Sequence, residues 1–137
     1  MSGPGLPSIN ASSDTRRKDP ELPAVLVRNG WRYHHLGIPT GTPRPGEKYL
    51  PAFRMYVSGF ESNPFGIEWM RFEEGSPLPE LVRTVPHVAF VVDDLERAIE
   101  GTEILSAINS PSDGVRVAMI VSDGAPVELM EFRARRE

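Results

Sequence analysis

Pro86-His87-Val88-Ala89-Phe90-Val91-Val92-Asp93-Asp94-Leu95-Glu96 carries the densest signal in this chain. Val88 to Val92 is a β-branched and aromatic run and reads as a strand. Asp93 and Glu96 have the spacing of a capping box. Leu95, Ala98 and Ile99 then give one apolar helical face, with Gly101 as the stop. Further on, the turn residues Pro111-Ser112-Asp113-Gly114 precede a hairpin. Its arms are Val115 to Val121 and Pro126 to Phe132, joined through Ser122-Asp123-Gly124. This half reads strand, helix, then strands.

Upstream the signals are strand and turn. Trp31 to Ile38 is a first strand, closed by Pro39 and the turn-rich residues 40–46. Phe53 to Val57 alternates apolar and polar residues as a second, and Ile67 to Phe72 follows the turn Ser62-Asn63-Pro64-Phe65-Gly66 as a third. Residues 74–86 hold Pro77, Pro79 and Pro86 and read as a connection between two halves. In residues 39–52, Pro39, Pro43, Pro45 and Pro51 leave room for a helix of only about two turns, between Pro45 and Pro51, since interior proline costs about 3 kcal/mol. Residues 1–24 have no apolar periodicity and read as a flexible extension. Within it Arg16-Arg17-Lys18 is flanked by acids and reads as a solvated stretch, as does the end with Arg133, Arg135 and Arg136. Residues 25–137 are left as a single domain, with modules at about 30–73 and 86–133.

Composition bounds the function. The chain has 137 residues, 39% of them hydrophobic, and 15 Lys+Arg against 19 Asp+Glu give a net charge of −4. That balance argues against a protein that coats nucleic acid or an anionic membrane. There is no cysteine, hence no disulfide, thiolate metal site or thiol nucleophile. No apolar run approaches the about 20 residues of a membrane span, and no secretory signal is seen, so a cytoplasmic location is expected.

The two halves repeat. His35-Leu36-Gly37-Ile38 sets over His87-Val88-Ala89-Phe90, and Ile67-Glu68-Trp69-Met70-Arg71-Phe72 over Val127-Glu128-Leu129-Met130-Glu131-Phe132. The histidine precedes the glutamate by 33 residues in one half and 41 in the other. Two imidazoles and two carboxylates in apolar strands are ligand types for a divalent first-row metal. Strand alternation puts Glu68, Met70 and Phe72 on one face, Glu128 with Met130 and Phe132, and His87 with Ala89 and Val91. A curled sheet could bring His35, Glu68, His87 and Glu128 onto its concave side. Alternation places His34, the rival to His35, on the opposite face, so at most one of the two can point into the pocket.

These residues resemble the vicinal oxygen chelate superfamily, which includes glyoxalase I, methylmalonyl-CoA epimerase, extradiol dioxygenases and antibiotic-resistance proteins. The resemblance covers about residues 30–133. It is strongest at Pro86 to Glu96 and at Pro126 to Phe132, where His87 and Glu128 match metal-ligand positions; His35 and Glu68 match those of the first module. It implies an α+β fold of two βαβββ-type modules forming a cupped, mostly antiparallel sheet, the first with a reduced helix. It also implies one divalent ion (Zn, Ni, Co, Mn or Fe), and commonly a homodimer.

An ion chelated by two neighbouring substrate oxygens stabilises an enediolate, so that a C–H beside a carbonyl can be removed by a base. The resemblance makes a ligating glutamate the candidate base, Glu128 first and Glu68 second. The expected function is a metal-dependent isomerase or lyase acting on a small molecule with vicinal oxygens. A metal-free binding or sequestering protein of the same fold is the alternative, and a non-haem iron dioxygenase the second. Arg54 and Tyr56 share a strand face and are candidates for orienting substrate. No glutathione or coenzyme A determinant is identifiable.

Overall fold

Alternating, β-rich segments without long helical periods give a sheet protein with short helices. A computed structural model describes residues 19–133; most of the 1–24 extension and the arginines at 135 and 136 lie outside the described residues. The first module contains β1 (Arg32–Pro39), β2 (Lys48–Leu50), β3 (Met55–Ser58) and β4 (Ile67–Phe72). The second contains β5 (His87–Val91), β6 (Glu103–Ser112), β7 (Val115–Ser122) and β8 (Ala125–Phe132). The helices are short: α1 (Ala24–Val27), α2 (Glu80–Thr84) in the connection, and α3 (Leu95–Ala98).

All eight strands join one sheet in the order β2-β3-β4-β1-β5-β8-β7-β6. The order is palindromic about the β1–β5 seam. In each module the first strand pairs parallel with the last, and every other pairing is antiparallel. Leu50 of β2 and Ser106 of β6, near opposite edges of the sheet, line one cavity, so the sheet curls into a half-barrel. This is the cupped α+β architecture that the resemblance implies.

The convex side of the second module is sealed by α3. Leu95 packs with Val92, Ala118, Ile120 and Leu129, and Trp31 and Phe90 close over them. The helix starts at Asp94, whose carboxylate accepts from the Arg97 N–H at 3.1 Å. The cap is therefore one residue later than the sequence spacing predicts. The Val92 N–H still donates to the Met130 carbonyl, prolonging the strand pairing to the edge of Asp93. Buried Glu131 reinforces the start by accepting from the Leu95 N–H at 2.9 Å.

The first module carries this reduction to completion, with no helix in residues 39–52. The proline-rich loop covers the outer face of β4 instead. Arg44 stacks over Trp69 at 4.5 Å, and Glu47 holds Arg71 through two bonds of 2.7 and 2.8 Å. Strand β6 was not legible as a strand. It is an edge strand with three register shifts against β7, and such an edge tolerates Pro111 and its Ser/Asn-rich surroundings. At the hairpin, Asp123 and Gly124 have φ of 50° and 79°, as a two-residue turn of positive φ requires.

Gly37 permits the seam. A Cβ there would sit 2.2 Å from His87 Cε1, whereas one at Gly41 would meet nothing within 4 Å. Gly37→Ala is predicted to cost about 1–3 kcal/mol in denaturant unfolding, as overpacking does. Gly41→Ala should stay within about 0.5 kcal/mol; equal effects would contradict the packing account.

Candidate metal centre

Each of the four central strands delivers at least one polar side chain to the concave side. Across the seam His35 stands opposite Ala89, and Gly37 opposite His87. In the parallel pairs Gly37 stands opposite Glu68, and Ala89 opposite Glu128. Each histidine is thus followed two positions later by a small residue, which the other histidine and its own module's glutamate flank. The repeat seen in sequence is a local two-fold relation in space.

These side chains converge. His87 Nε2 lies 2.9 Å from Glu128 Oε1, and His35 Nε2 lies 3.3 Å from both His87 Nε2 and Glu128 Oε1. Glu68 Oε1 stands further off, 3.8 Å from His35 Nε2. Both histidines are buried, and His87 Nδ1 is buried without a hydrogen-bond partner. The floor thus presents two imidazole nitrogens and a carboxylate oxygen edge to edge.

The donor set fits a divalent ion. Metal–ligand bonds of about 2.1 Å place adjacent donors about 3 Å apart in an octahedron. The His35, His87 and Glu128 atoms already have such spacings, and these three could hold an ion. The orphaned Nδ1 means that the His87 ring makes its polar contacts through Nε2 alone. A second acidic group, Asp94, Glu96 and Glu131, is explained by its neighbours. Arg116 pairs with both Glu96 and Glu131, and Arg133 with Glu131.

Burial and mutual contact set the protonation. Burial opposes charge on Glu128, but hydrogen bonds from His35 and His87 outweigh it and hold the carboxyl down at about 2. Burial also opposes charge on His35, and the contacts with Glu128 and Glu68 reverse that and raise the imidazole. Glu68 is raised by burial, against the pull of His35. His34 is lowered, first by burial and then by the charge of His35.

His34 corrects the strand-alternation argument. Its ring lines the same cavity as His35, and the two Nδ1 atoms lie 2.7 Å apart. The cause is an irregularity in β1, where the register with β5 shifts between Tyr33 and His35. An extra residue in one strand breaks the period of two and lets consecutive side chains share a side. Phe60 stacks on His34 at 4.9 Å and 15°. The adjacent histidines were the only sequence signal for this arrangement.

Neither Arg54 nor Tyr56 lines the cavity, and Arg54 precedes β3 with φ of 49°. Met55 and Val57 take the inward positions of β3. Tyr56 instead packs against Tyr49 and lies under Arg71 at 4.1 Å, while Arg54 reaches toward Gly75. The cavity holds about 260 Å³ and has largely apolar walls above the polar floor. Ser106 and Asn109 add polar groups from β6, the strand that sequence reading missed.

No family model matches the chain, and no curated protein does so. Among solved structures, a hypothetical protein from Bacillus halodurans has a TM-score of 0.59 at 18% identity, covering 78% of this chain and 98% of that one. Methylmalonyl-CoA epimerase from Mycobacterium tuberculosis has a TM-score of 0.50 at 15% identity, covering 75% of this chain and 89% of that one. These likenesses are of fold. They agree with the cupped α+β fold expected from the sequence.

In the metal-free protein, the contribution of Glu128 is present above the ordinary 4.5 and lost as pH falls toward about 2. That of His35 is present below 6.5 and lost as pH rises through its raised value. Glu68 is raised like His35, so stability is lost as pH climbs past 4.5 toward its raised value. With EDTA present, the stability difference between wild type and Glu128→Gln is therefore predicted to be widest between pH 4.5 and 6.5. A difference that stays constant into acid and alkali would contradict the pairing.

Proposed function

We propose that this chain is a metal-dependent, glyoxalase-like isomerase or lyase, acting on a small molecule with vicinal oxygens. The observation that carries the reading is the convergence of His35, His87 and Glu128, with Glu68 facing them, on the floor of an apolar cup. That one fold neighbour is named an epimerase accords with this class.

His35, His87 and Glu128 would hold the ion, with Glu68 as the fourth ligand. When bound, a divalent ion supplies Lewis acidity that stabilises negative charge developing on a substrate carbonyl. Glu68 is then the better-placed base, reversing the order read from sequence. The Glu128 oxygen is engaged by both imidazoles, whereas the Glu68 carboxylate stands back at 3.8 Å. Glu68 also borders a second, more polar opening beside Lys48 and Ser62, a route by which its proton could exchange with solvent. The apolar walls keep bulk water from the carbanion-like centre. His34 bonds the far side of the His35 ring and fixes which nitrogen faces the cup.

The same standing-back of Glu68 supports a second reading. Two histidines and one carboxylate with open positions are the donor set of non-haem iron oxygenases. The two readings separate in one experiment. Protein supplied with Zn²⁺, Ni²⁺, Co²⁺, Mn²⁺ or Fe²⁺ is incubated with α-hydroxyketones in D₂O, and exchange of the C–H beside the carbonyl is followed by NMR. Protein-dependent exchange is expected, and Glu68→Gln should slow it by about 10²–10⁴-fold. Absence of exchange, together with oxygen uptake on catechols by the Fe²⁺ protein, would overturn the isomerase reading in favour of the oxygenase.

A further inference from the structure

The walls of the cup restrict what can enter it. Among the described residues, no lysine or arginine lines the cavity. Of the cations adjacent in sequence to its wall residues, Arg71 pairs with Glu47, Arg116 pairs with Glu96 and Glu131, Arg83 donates to the Leu78 carbonyl, and Arg54 reaches toward Gly75; Lys48, two residues from Leu50, pairs with Glu61. All four methionines among the described residues, Met55, Met70, Met119 and Met130, line the cavity. Methionine is flexible and polarisable and fits itself to varied apolar shapes.

Charge sharpens this. The floor already holds two carboxylates, Glu68 and Glu128, which together would balance one divalent ion. A substrate carboxylate would then bring a negative charge into an apolar cavity that no described lysine or arginine lines, and a buried unpaired charge is strongly disfavoured. The polar side chains apart from the floor are His34, whose Nδ1 meets that of His35, and Ser106 and Asn109, neutral groups that hydrogen-bond a hydroxyl or a carbonyl. At about 30 Å³ per water, the 260 Å³ volume corresponds to about nine waters, so the occupant is small.

We infer that the cup selects an uncharged α-hydroxyketone or 1,2-diketone carrying a compact aryl or alkyl group, and rejects 2-oxo acids and malonyl-type carboxylates of the same size. The inference rests on the metal-dependent reading for the vicinal oxygens and on the walls for neutrality. It separates this chain from an enzyme whose substrate bears a free carboxylate beside the reacting carbon.

The test uses two probes with the same phenyl ring, 2-hydroxyacetophenone and phenylglyoxylate. Each is titrated calorimetrically into the full chain with Mn²⁺ or Zn²⁺ present, and again with EDTA. The ketone is expected to bind at least tenfold more tightly than the acid when the ion is present. Leu50→Arg, at the half-buried edge of the cup, should shrink or invert that ratio, while Leu50→Gln should preserve it. Metal-dependent binding that favours the acid in the wild type would overturn the inference, as would failure of the ketone to bind at millimolar concentration. Affinities unchanged by EDTA but still favouring the ketone would support the selectivity of the walls and overturn the metal-dependent reading.

Discussion

The buried ring of His87 lies against the bare backbone of Gly37, and the concave site depends on that contact. Without a side chain at Gly37, the imidazole drops onto the β1–β5 seam and brings Nε2 within bonding distance of Glu128 and His35. Ala89 occupies the equivalent place opposite His35. Ionisable groups taken out of water cost several kcal/mol each unless partners offset the loss. Here the partners are one another: the imidazoles hold the Glu128 carboxylate charged, and that carboxylate keeps His35 basic. Such a cluster is costly as mere scaffolding, because apolar residues of similar volume would fill the same space more cheaply. Its persistence at the floor of a cavity is what an ion-binding role would explain.

The two modules share the floor but differ outside it. In the second, α3 covers the convex face and Glu131 ties the helix start to β8. In the first, a proline-rich loop takes that place through Arg44 on Trp69 and Glu47 on Arg71. Arg71 and Glu131 occupy the same place in the two closing strands, and each turns outward into an ion pair. The strand between those outward positions is therefore free to present glutamate and methionine to the cup. Without a helix over residues 39–52, the first module keeps the same inward-facing register as the second.

Much of this was legible because strands alternate and the chain repeats. Ile67 to Phe72 is the strand that sequence placed, and the His87 and Glu128 positions follow from apolar runs whose ends are marked by proline, aspartate or glycine. The failures have separate physical causes. Residues 103–112 lack a clear apolar alternation because β6 is an irregular edge, so Ser106 and Asn109 were missed. His34 was placed on the wrong side because a bulge depends on pairing between distant strands, which no local pattern records. Arg54 and Tyr56 were grouped by strand alternation, but Arg54 precedes β3, and which face meets the cup is settled only by the curl of the sheet. Asp93 yielded the cap to Asp94 because strand pairing held the chain extended one residue longer.

The account stands on one ion held between the two modules. Calorimetric titration of metal-free protein with Zn²⁺, Ni²⁺, Co²⁺, Mn²⁺ and Fe²⁺, beside the His87→Ala variant, addresses that directly. The account predicts one ion per chain in the wild type and loss of that binding in the variant. No binding of any of these ions by folded wild-type protein, or binding that survives His87→Ala unchanged, would contradict it.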